Sequence, residues 1–357
     1  MSDSISRCIT RHALPKTQKR AKQNGPPVHP FWYADPRTGK RIRDRDMLQY
    51  IRSIQIPEAY KDVCISSRKS AAVLATGRDI KGNLQYRYNP RTIQSNARDK
   101  FRRMLALSKV IPTVRQSLHA GGRGAVQIDS KEEVINRAIG LLSECSFRVG
   151  NPKYLKQNQS YGLTNLLLRH YDPRRHTITF QGKTNQTNTC TVHDPTTRRF
   201  LQSRSRSLRP DDRIFSYASQ RADGTRANIL PADVNRTLRA HGDVTAKDFR
   251  MWTANVGLLA SLAARYAKRR GARPYTFFDK RRIMKSSMKE VAAQLNHTPA
   301  VCKSNYVHPG VYDMYMSDDS AWIESELHSL ARSRTTSARK YDDLLRKLLT
   351  HLDREGW

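Results

Sequence analysis

The chain has 357 residues, of which 65 are Lys or Arg and 31 Asp or Glu, so its formal charge is +34. That balance sets it apart from ordinary metabolic enzymes and points to a polyanion, most commonly nucleic acid, as partner. A hydrophobic content of 38% supplies a packed core and excludes a wholly disordered basic tail. The longest apolar stretch, Val256 to Ala264, is broken by Gly257 and Ser261 and falls far short of the ~18–20 residues of a membrane span. The opening residues lack the apolar segment of a signal peptide. Cys8, Cys64, Cys145, Cys190 and Cys302 are odd in number and form no C-x-x-C pair. Neither a disulfide framework nor a zinc ribbon is therefore expected, and a reducing intracellular compartment fits.

Residues 1–27 carry six Lys or Arg against Asp3 and end in Gly25-Pro26-Pro27, which reads as a flexible basic arm. From 28 to 95 the pattern is one of short aromatic and β-branched runs cut by turn signals. Thr38-Gly39 and Lys81-Gly82 stand where hairpin turns are needed, and Leu84-Gln85-Tyr86-Arg87-Tyr88 alternates as a strand does, so this is a small β-rich domain. After Pro90 the spacing turns helical, over Ala97–Arg115 and about Ser130–Cys145, Leu163–Leu168, Pro231–Ala240, Lys247–Ala267, Ser286–Leu295 and Pro299–Tyr306. One β interruption is expected, His176–Phe180 turning at Gln181-Gly182-Lys183 and returning through Thr189–Val192. Residues 96–316 form the larger domain. The segment 317–357 adds a near-neutral helical extension, with Leu344, Leu345, Leu348, Leu349 and Leu352 at helical spacing, so the positive excess is concentrated in the body of the chain.

The sequence lacks a G-x-x-x-x-G-K-[ST] loop and an H-E-x-x-H motif. Asp211-Asp212, Asp318-Asp319 and Asp342-Asp343 read as helix starts or surface positions. Phosphoryl chemistry here would fall to side chains alone: a nucleophile, cationic donors for the charge developing on phosphorus, and an acid for the departing alkoxide. Four strings suit those roles. They are Phe147-Arg148-Val149-Gly150, running on to Lys153-Tyr154-Leu155-Lys156; Phe180-Gln181-Gly182-Lys183; Ala246-Lys247-Asp248-Phe249-Arg250; and Asn296-His297-Thr298-Pro299, with Tyr306 nine residues beyond the histidine.

In this order the four strings resemble the type IB DNA topoisomerases of the poxvirus and bacterial kind. The resemblance runs from Ile56-Pro57 to Tyr315 and includes Ala75-Thr76-Gly77-Arg78-Asp79 through Tyr88. It implies an α+β protein, a small N-terminal β-rich domain plus a mostly helical catalytic domain with a short hairpin sheet, together forming a C-shaped DNA clamp. It implies that Tyr306 attacks a phosphodiester to form a 3′-phosphotyrosyl link. Arg148, Arg250 and His297 would donate to the non-bridging oxygens, and Lys183 would protonate the leaving 5′ oxygen. Gln85, Tyr86, Tyr88, Lys153 and Tyr154 fall at DNA-contacting positions. The reaction would need no ATP and no essential metal, with Mg²⁺ at most stimulatory. Double-stranded DNA is the expected partner, met by a monomer without a membrane, in bacterial cytoplasm or in a virion, viral factory or nucleus.

Each residue also has a plainer reading. Tyr312 and Tyr315 compete with Tyr306, Lys153, Lys156 and Lys247 compete with Lys183, and His308 lies near His297. A tyrosine recombinase would share the constellation, but it usually carries a histidine three residues before its second arginine, where this chain has Lys247, and its gripping domain is helical. A DNA-packaging protein would account for the charge without requiring the five residues in order.

Overall fold

Ile9 and Leu14 sit among the basic residues of the first segment, and their burial decides its structure. The computed structural model describes residues 8–14, 30–120, 129–152, 155, 159–219, 225–267, 275–318, 320–333 and 339–355. In it Ile9–Ala13 is a strand, β1, and not part of a flexible arm. β1 lies between β2 (Phe31–Ala34) and β3 (Lys61–Ile65) in a five-stranded antiparallel sheet of order β2-β1-β3-β4-β5. The expectation for 1–27 is corrected over residues 8–14, and the rest of that segment lies outside the described residues. A run of basic side chains masked one apolar residue, Ile9, that is 1% exposed.

The cysteine expectation is overturned as well. Disulfides join Cys8 to Cys64 and Cys145 to Cys190, leaving Cys302 free and buried. Partners 56 and 45 residues apart leave no spacing signature to read in the sequence.

Between β2 and β3 the chain forms a helix that its β-rich reading passed over, α1 (Arg45–Ser53). The Asp44 side chain caps it by accepting from the Met47 amide at 2.9 Å. Tyr50 and Ile51 then pack with Tyr33, Val63, Ile65 and Leu74 against the sheet. β4 (Val73–Arg78) and β5 (Leu84–Tyr88) make the hairpin expected at Lys81-Gly82, where Asp79 accepts from the Lys81 and Asn83 amides. The chain divides into two compact units, Met1–Asp99 and Lys100–Trp357.

Helix α2 (Pro90–Ala120) is followed by α3 (Lys131–Cys145), capped by Ser130. A three-stranded sheet then forms from β6 (Tyr171–Asp172), β7 (Thr177–Gln181) and β8 (Thr187–Thr191). Next come α4 (Pro195–Ser207), the ribbon β9 (Ser216–Ala218) and β10 (Arg226–Asn228), and α5 (Pro231–Arg239). The rest is helical: α6 (Ala246–Ala267), α7 (Phe277–Gln294), α8 (Pro299–Asn305), α9 (Pro309–Met316), α10 (Ala321–Arg332) and α11 (Arg339–Arg354). Small antiparallel sheets beside helices make this an α+β protein. The helix expected at Leu163–Leu168 is instead two single 3₁₀ turns, 163–165 and 168–170. α7 begins nine residues ahead of the expected Ser286, because Thr276 and Asp279 form a capping box.

The core of the second unit is arranged around α6, which buries Phe249, Met251, Trp252, Leu258, Leu259 and Leu262 against α7, α10 and α11. The C-terminal extension is thus part of this core, and its Leu344, Leu345, Leu348, Leu349 and Leu352 are all buried. Asp342 proves not to be a surface residue: it is 2% exposed and accepts from Trp252 Nε1 at 2.6 Å. Removing that acceptor strands a buried indole donor. Asp342→Ala should lower stability by about 1–3 kcal/mol, read as a lower urea midpoint with an unchanged slope. Thiol titration of the unfolded, unreduced chain should find one reactive cysteine, Cys302, and five after reduction.

Candidate active site

Arg148 lies just past the end of α3, and the local backbone explains its placement. Ser146 closes the helix in a left-handed conformation, φ 51°, which turns the chain sharply and sends Phe147 into the core, edge-on to Phe180 at 4.8 Å. The Arg148 carbonyl then accepts from the Leu163 amide at 2.8 Å, and the Val149 carbonyl from the Thr164 amide at 3.0 Å. The two segments approach so closely that a Cβ on Gly162 would stand 2.5 Å from the Gly150 Cα and 2.8 Å from the Arg148 carbonyl oxygen. Only glycine fits there.

Arg250 projects from the start of α6 and is 4% exposed. Its guanidinium donates to the Ser146 carbonyl and, through Nη2, to the Leu295 carbonyl at 2.9 Å, so it bridges the end of α3 to the end of α7. Burial, and then the charge of Arg148, push its pKa down to about 10, which leaves it charged at neutral pH. Neither Arg148 nor Arg250 forms a salt bridge among the described residues.

His297 sits between the two guanidinium groups. Its Nε2 is 3.1 Å from Arg148 Nη2 and 3.4 Å from Arg250 Nη2. Arginine can only donate, so Nε2 is the acceptor and the ring is unprotonated there. Burial first, then the charges of Arg148, Arg250 and Lys183, push the His297 pKa down to about 4. The Tyr306 ring lies 4.6 Å from the His297 ring and 5.7 Å from the Arg250 guanidinium carbon.

The competing residues are elsewhere. Tyr315 is fully buried with its hydroxyl 3.5 Å from that of Tyr266, Tyr312 lies beneath Lys303, and His308 caps α9 by accepting from the Gly310 amide. Lys183 is exposed at the turn between β7 and β8, near enough to act on the charge of His297, whereas Lys247 points away from the core on the surface of α6. Lys153, Tyr154 and Lys156 lie outside the described residues.

The strand residues divide. Tyr86 and Tyr88 are each about half exposed and stack at 5.9 Å on one face of β5. Gln85 is on the opposite face, and its amide donates to Asp79 at 2.8 Å.

One residue of the site escaped the sequence reading. Asn255, on α6 and fully buried, donates to the Tyr306 carbonyl at 2.9 Å and accepts from the His308 amide at 2.9 Å, fixing the backbone that carries the tyrosine. Its signal was an amide in the middle of an otherwise apolar helix, five residues after Arg250.

Two arginines, a histidine and a tyrosine drawn together, with no ion-paired carboxylate among the described residues, make a cluster whose charge suits an anion. Residues 89–330 match the family model described as eukaryotic DNA topoisomerase I, catalytic core, and residues 30–79 that of the bacterial DNA topoisomerase IB N-terminal domain. The chain belongs to the type IB DNA topoisomerases. Among its relatives is DNA topoisomerase 1B of Acanthamoeba polyphaga mimivirus, 27% identical over 82% of this chain and 86% of the relative. DNA topoisomerase 1 of rabbit fibroma virus is 24% identical over 83% and 92%, and DNA topoisomerase 1B of vaccinia virus 22% over 76% and 82%. The type IB enzyme acts on duplex DNA, breaking and resealing one strand to release supercoils.

No group of three or more His, Cys, Asp or Glu among the described residues is arranged to hold a metal ion. The depressed His297 also sets a pH dependence. The histidine of the unfolded chain protonates near 6.5 and the folded one near 4, so between these values the unfolded chain binds the extra proton. This group should therefore subtract from folding stability as pH falls from 6.5 to 4, and its ring resonances should titrate near 4 in the free enzyme by NMR.

Proposed function

We propose that this type IB enzyme cleaves DNA with Tyr306 as nucleophile, Arg148, Arg250 and His297 as donors to the phosphoryl oxygens, and Lys183 as the acid for the leaving group. The Tyr306 hydroxyl oxygen attacks phosphorus; the Oη–P bond forms and the P–O5′ bond breaks. A proton from Lys183 Nζ goes to the departing 5′ oxygen, and the phenol proton is lost to solvent. Religation reverses each step, so the bond energy is kept in the 3′-phosphotyrosyl link and no ATP is consumed. The cut strand rotates about the intact one before resealing.

The observation that carries the assignment is the meeting of Arg148 from beyond the end of α3, Arg250 from the start of α6, and His297 and Tyr306 from the two ends of α8. Two permanent cations nearby stabilise the charge of the dianionic transition state. Removing one such donor typically lowers the rate about 10²–10³-fold. Because side chains supply all these functions, the enzyme needs no essential metal, and Mg²⁺ is at most stimulatory.

We further propose that the two units grip the duplex as a C-shaped clamp, acting as a monomer wherever duplex DNA is held. The stacked Tyr86 and Tyr88 would touch bases or backbone on one side, with Lys153 and Tyr154 near the cleavage site. Gln85 would join them only on releasing Asp79. Binding through so many phosphate contacts should weaken steeply with salt, log K falling by about 0.9 per contact for each tenfold rise.

The decisive experiment is relaxation of supercoiled plasmid in EDTA without ATP, with an SDS trap for covalent complexes. Wild type should relax the plasmid and leave protein on the 3′ end, and Tyr306→Phe should do neither. A strict requirement for added Mg²⁺, or an adduct that survives in Tyr306→Phe, would overturn the assignment.

A further inference from the structure

The lysine assigned as acid stands on a hairpin turn, and a side chain on such a turn protonates a leaving group efficiently only if the turn is held at the right distance. What holds it is visible beside His297. Asn296 occupies the left-handed region at φ 53°, a conformation that asparagine tolerates better than most residues. It lies between α7 and α8, immediately before the histidine, and this geometry turns its side chain toward β8. There its Nδ2 donates to the Thr187 carbonyl at 3.2 Å and to Asn188 Oδ1 at 3.0 Å.

The contact continues into the turn. Asn188 is buried and donates through its own Nδ2 to the Gln186 carbonyl at 2.9 Å, the same oxygen that accepts from the Gly182 amide at 2.8 Å. A Cβ at Gly182 would fall 2.3 Å from Asn188 Nδ2, so the turn closes around this amide only because residue 182 is glycine. Lys183 follows directly. A chain of two amides therefore runs from the residue before His297 to the residue before Lys183.

We propose that Asn296 is a positioning residue: it docks the Lys183 turn against the His297 segment, so that acid and phosphate-binding groups are set by one hydrogen-bonded bridge. The inference rests on the reading of Lys183 as the acid, and goes beyond it by naming what aims that lysine. Asn296 touches no reacting atom in this account and acts through Asn188 and the turn.

Asn296→Gly is the informative variant, because glycine accepts positive φ without strain and the change removes only the amide. Its thermal unfolding should stay cooperative, with a midpoint within a few degrees of the wild type. Single-turnover cleavage would be measured on a synthetic duplex carrying a site mapped by SDS trapping, made with either an ordinary scissile phosphate or a sulfur in the 5′-bridging position. A thiolate departs without being protonated, so the sulfur substrate reports everything except the acid. Asn296→Gly should slow cleavage of the ordinary duplex about tenfold, the worth of one or two net hydrogen bonds, and leave the sulfur duplex within about twofold of wild type. Lys183→Ala should show the same selectivity with a larger loss, about 10²-fold or more.

If Asn296→Gly cleaves the ordinary duplex at the wild-type rate while Lys183→Ala does not, the bridge is idle and the proposal falls alone. Equal slowing of both duplexes by Asn296→Gly would mean a general structural defect, which also overturns it. Unimpaired cleavage of the ordinary duplex by Lys183→Ala would remove the acid assignment and the positioning role with it.

Discussion

Burying the Arg250 guanidinium beside a second arginine, with neither ion-paired to a carboxylate among the described residues, is the constraint on which the catalytic unit is built. A permanent charge cannot be relieved by deprotonation at neutral pH, and removing it from water is expensive unless its donors are satisfied. The chain meets the requirement with neutral groups. The carbonyls of Ser146 and Leu295 take the guanidinium hydrogens, and the Nε2 of His297 accepts from Arg148. Arg250 Nε nevertheless remains buried without a hydrogen-bond partner. One donor of the cluster is thus left for an anionic ligand, which the proposed reaction takes to be a phosphodiester.

Much of the surrounding architecture follows from delivering those carbonyls. Ser146 must take a left-handed conformation for its oxygen to reach Arg250 while Arg148, two residues on, is directed to the same place. The tight apposition of Gly150 and Gly162 holds that strand, and the end of α7 supplies Leu295 just ahead of Asn296 and His297. α6 contributes twice, with Arg250 near its start and Asn255 further along, whose amide fixes the backbone at Tyr306 and His308. Tyr306 and its main cationic neighbour are therefore referenced to one helix, and the C-terminal extension braces that helix through Trp252 and Asp342.

The parts of this arrangement that were legible in the sequence are those where chemistry demands a residue type. Arg148, Arg250, His297 and Tyr306 fell in strings suited to phosphoryl chemistry, and the resemblance of those strings, in order, to the type IB topoisomerases set them apart from their neighbours. The amphipathic period of α3, α6 and the leucines of α11 exposed the helical scaffold. What stayed hidden is relational. Strand β1 owes its place to pairing on both sides with segments distant in sequence, which a tally of basic residues conceals. The disulfides join cysteines with no local pattern, α1 is too short to declare itself within β-rich surroundings, and Asn255 and Asn296 matter only through the backbone atoms they reach. Alternation did place Tyr86 and Tyr88 together on β5, with Gln85 on the opposite face, as neighbours along a strand are.

The neutral state of His297 has a mechanistic corollary. In the free enzyme its Nε2 accepts from Arg148, so that atom cannot also donate to a phosphate oxygen. When a phosphodiester enters, its negative charge opposes the field of Arg148, Arg250 and Lys183 that depresses the histidine, and the arginine donors gain a better acceptor than a ring nitrogen. Nε2 is released and can carry a proton, by a change of tautomer or by uptake from solvent. On the proposed assignment, the histidine satisfies the arginines in the free enzyme and becomes a third donor once a phosphodiester is bound. An acceptor at Nε2 lets two buried cations stand side by side, and in the proposed reaction the donor function of His297 depends on the phosphate that takes its place.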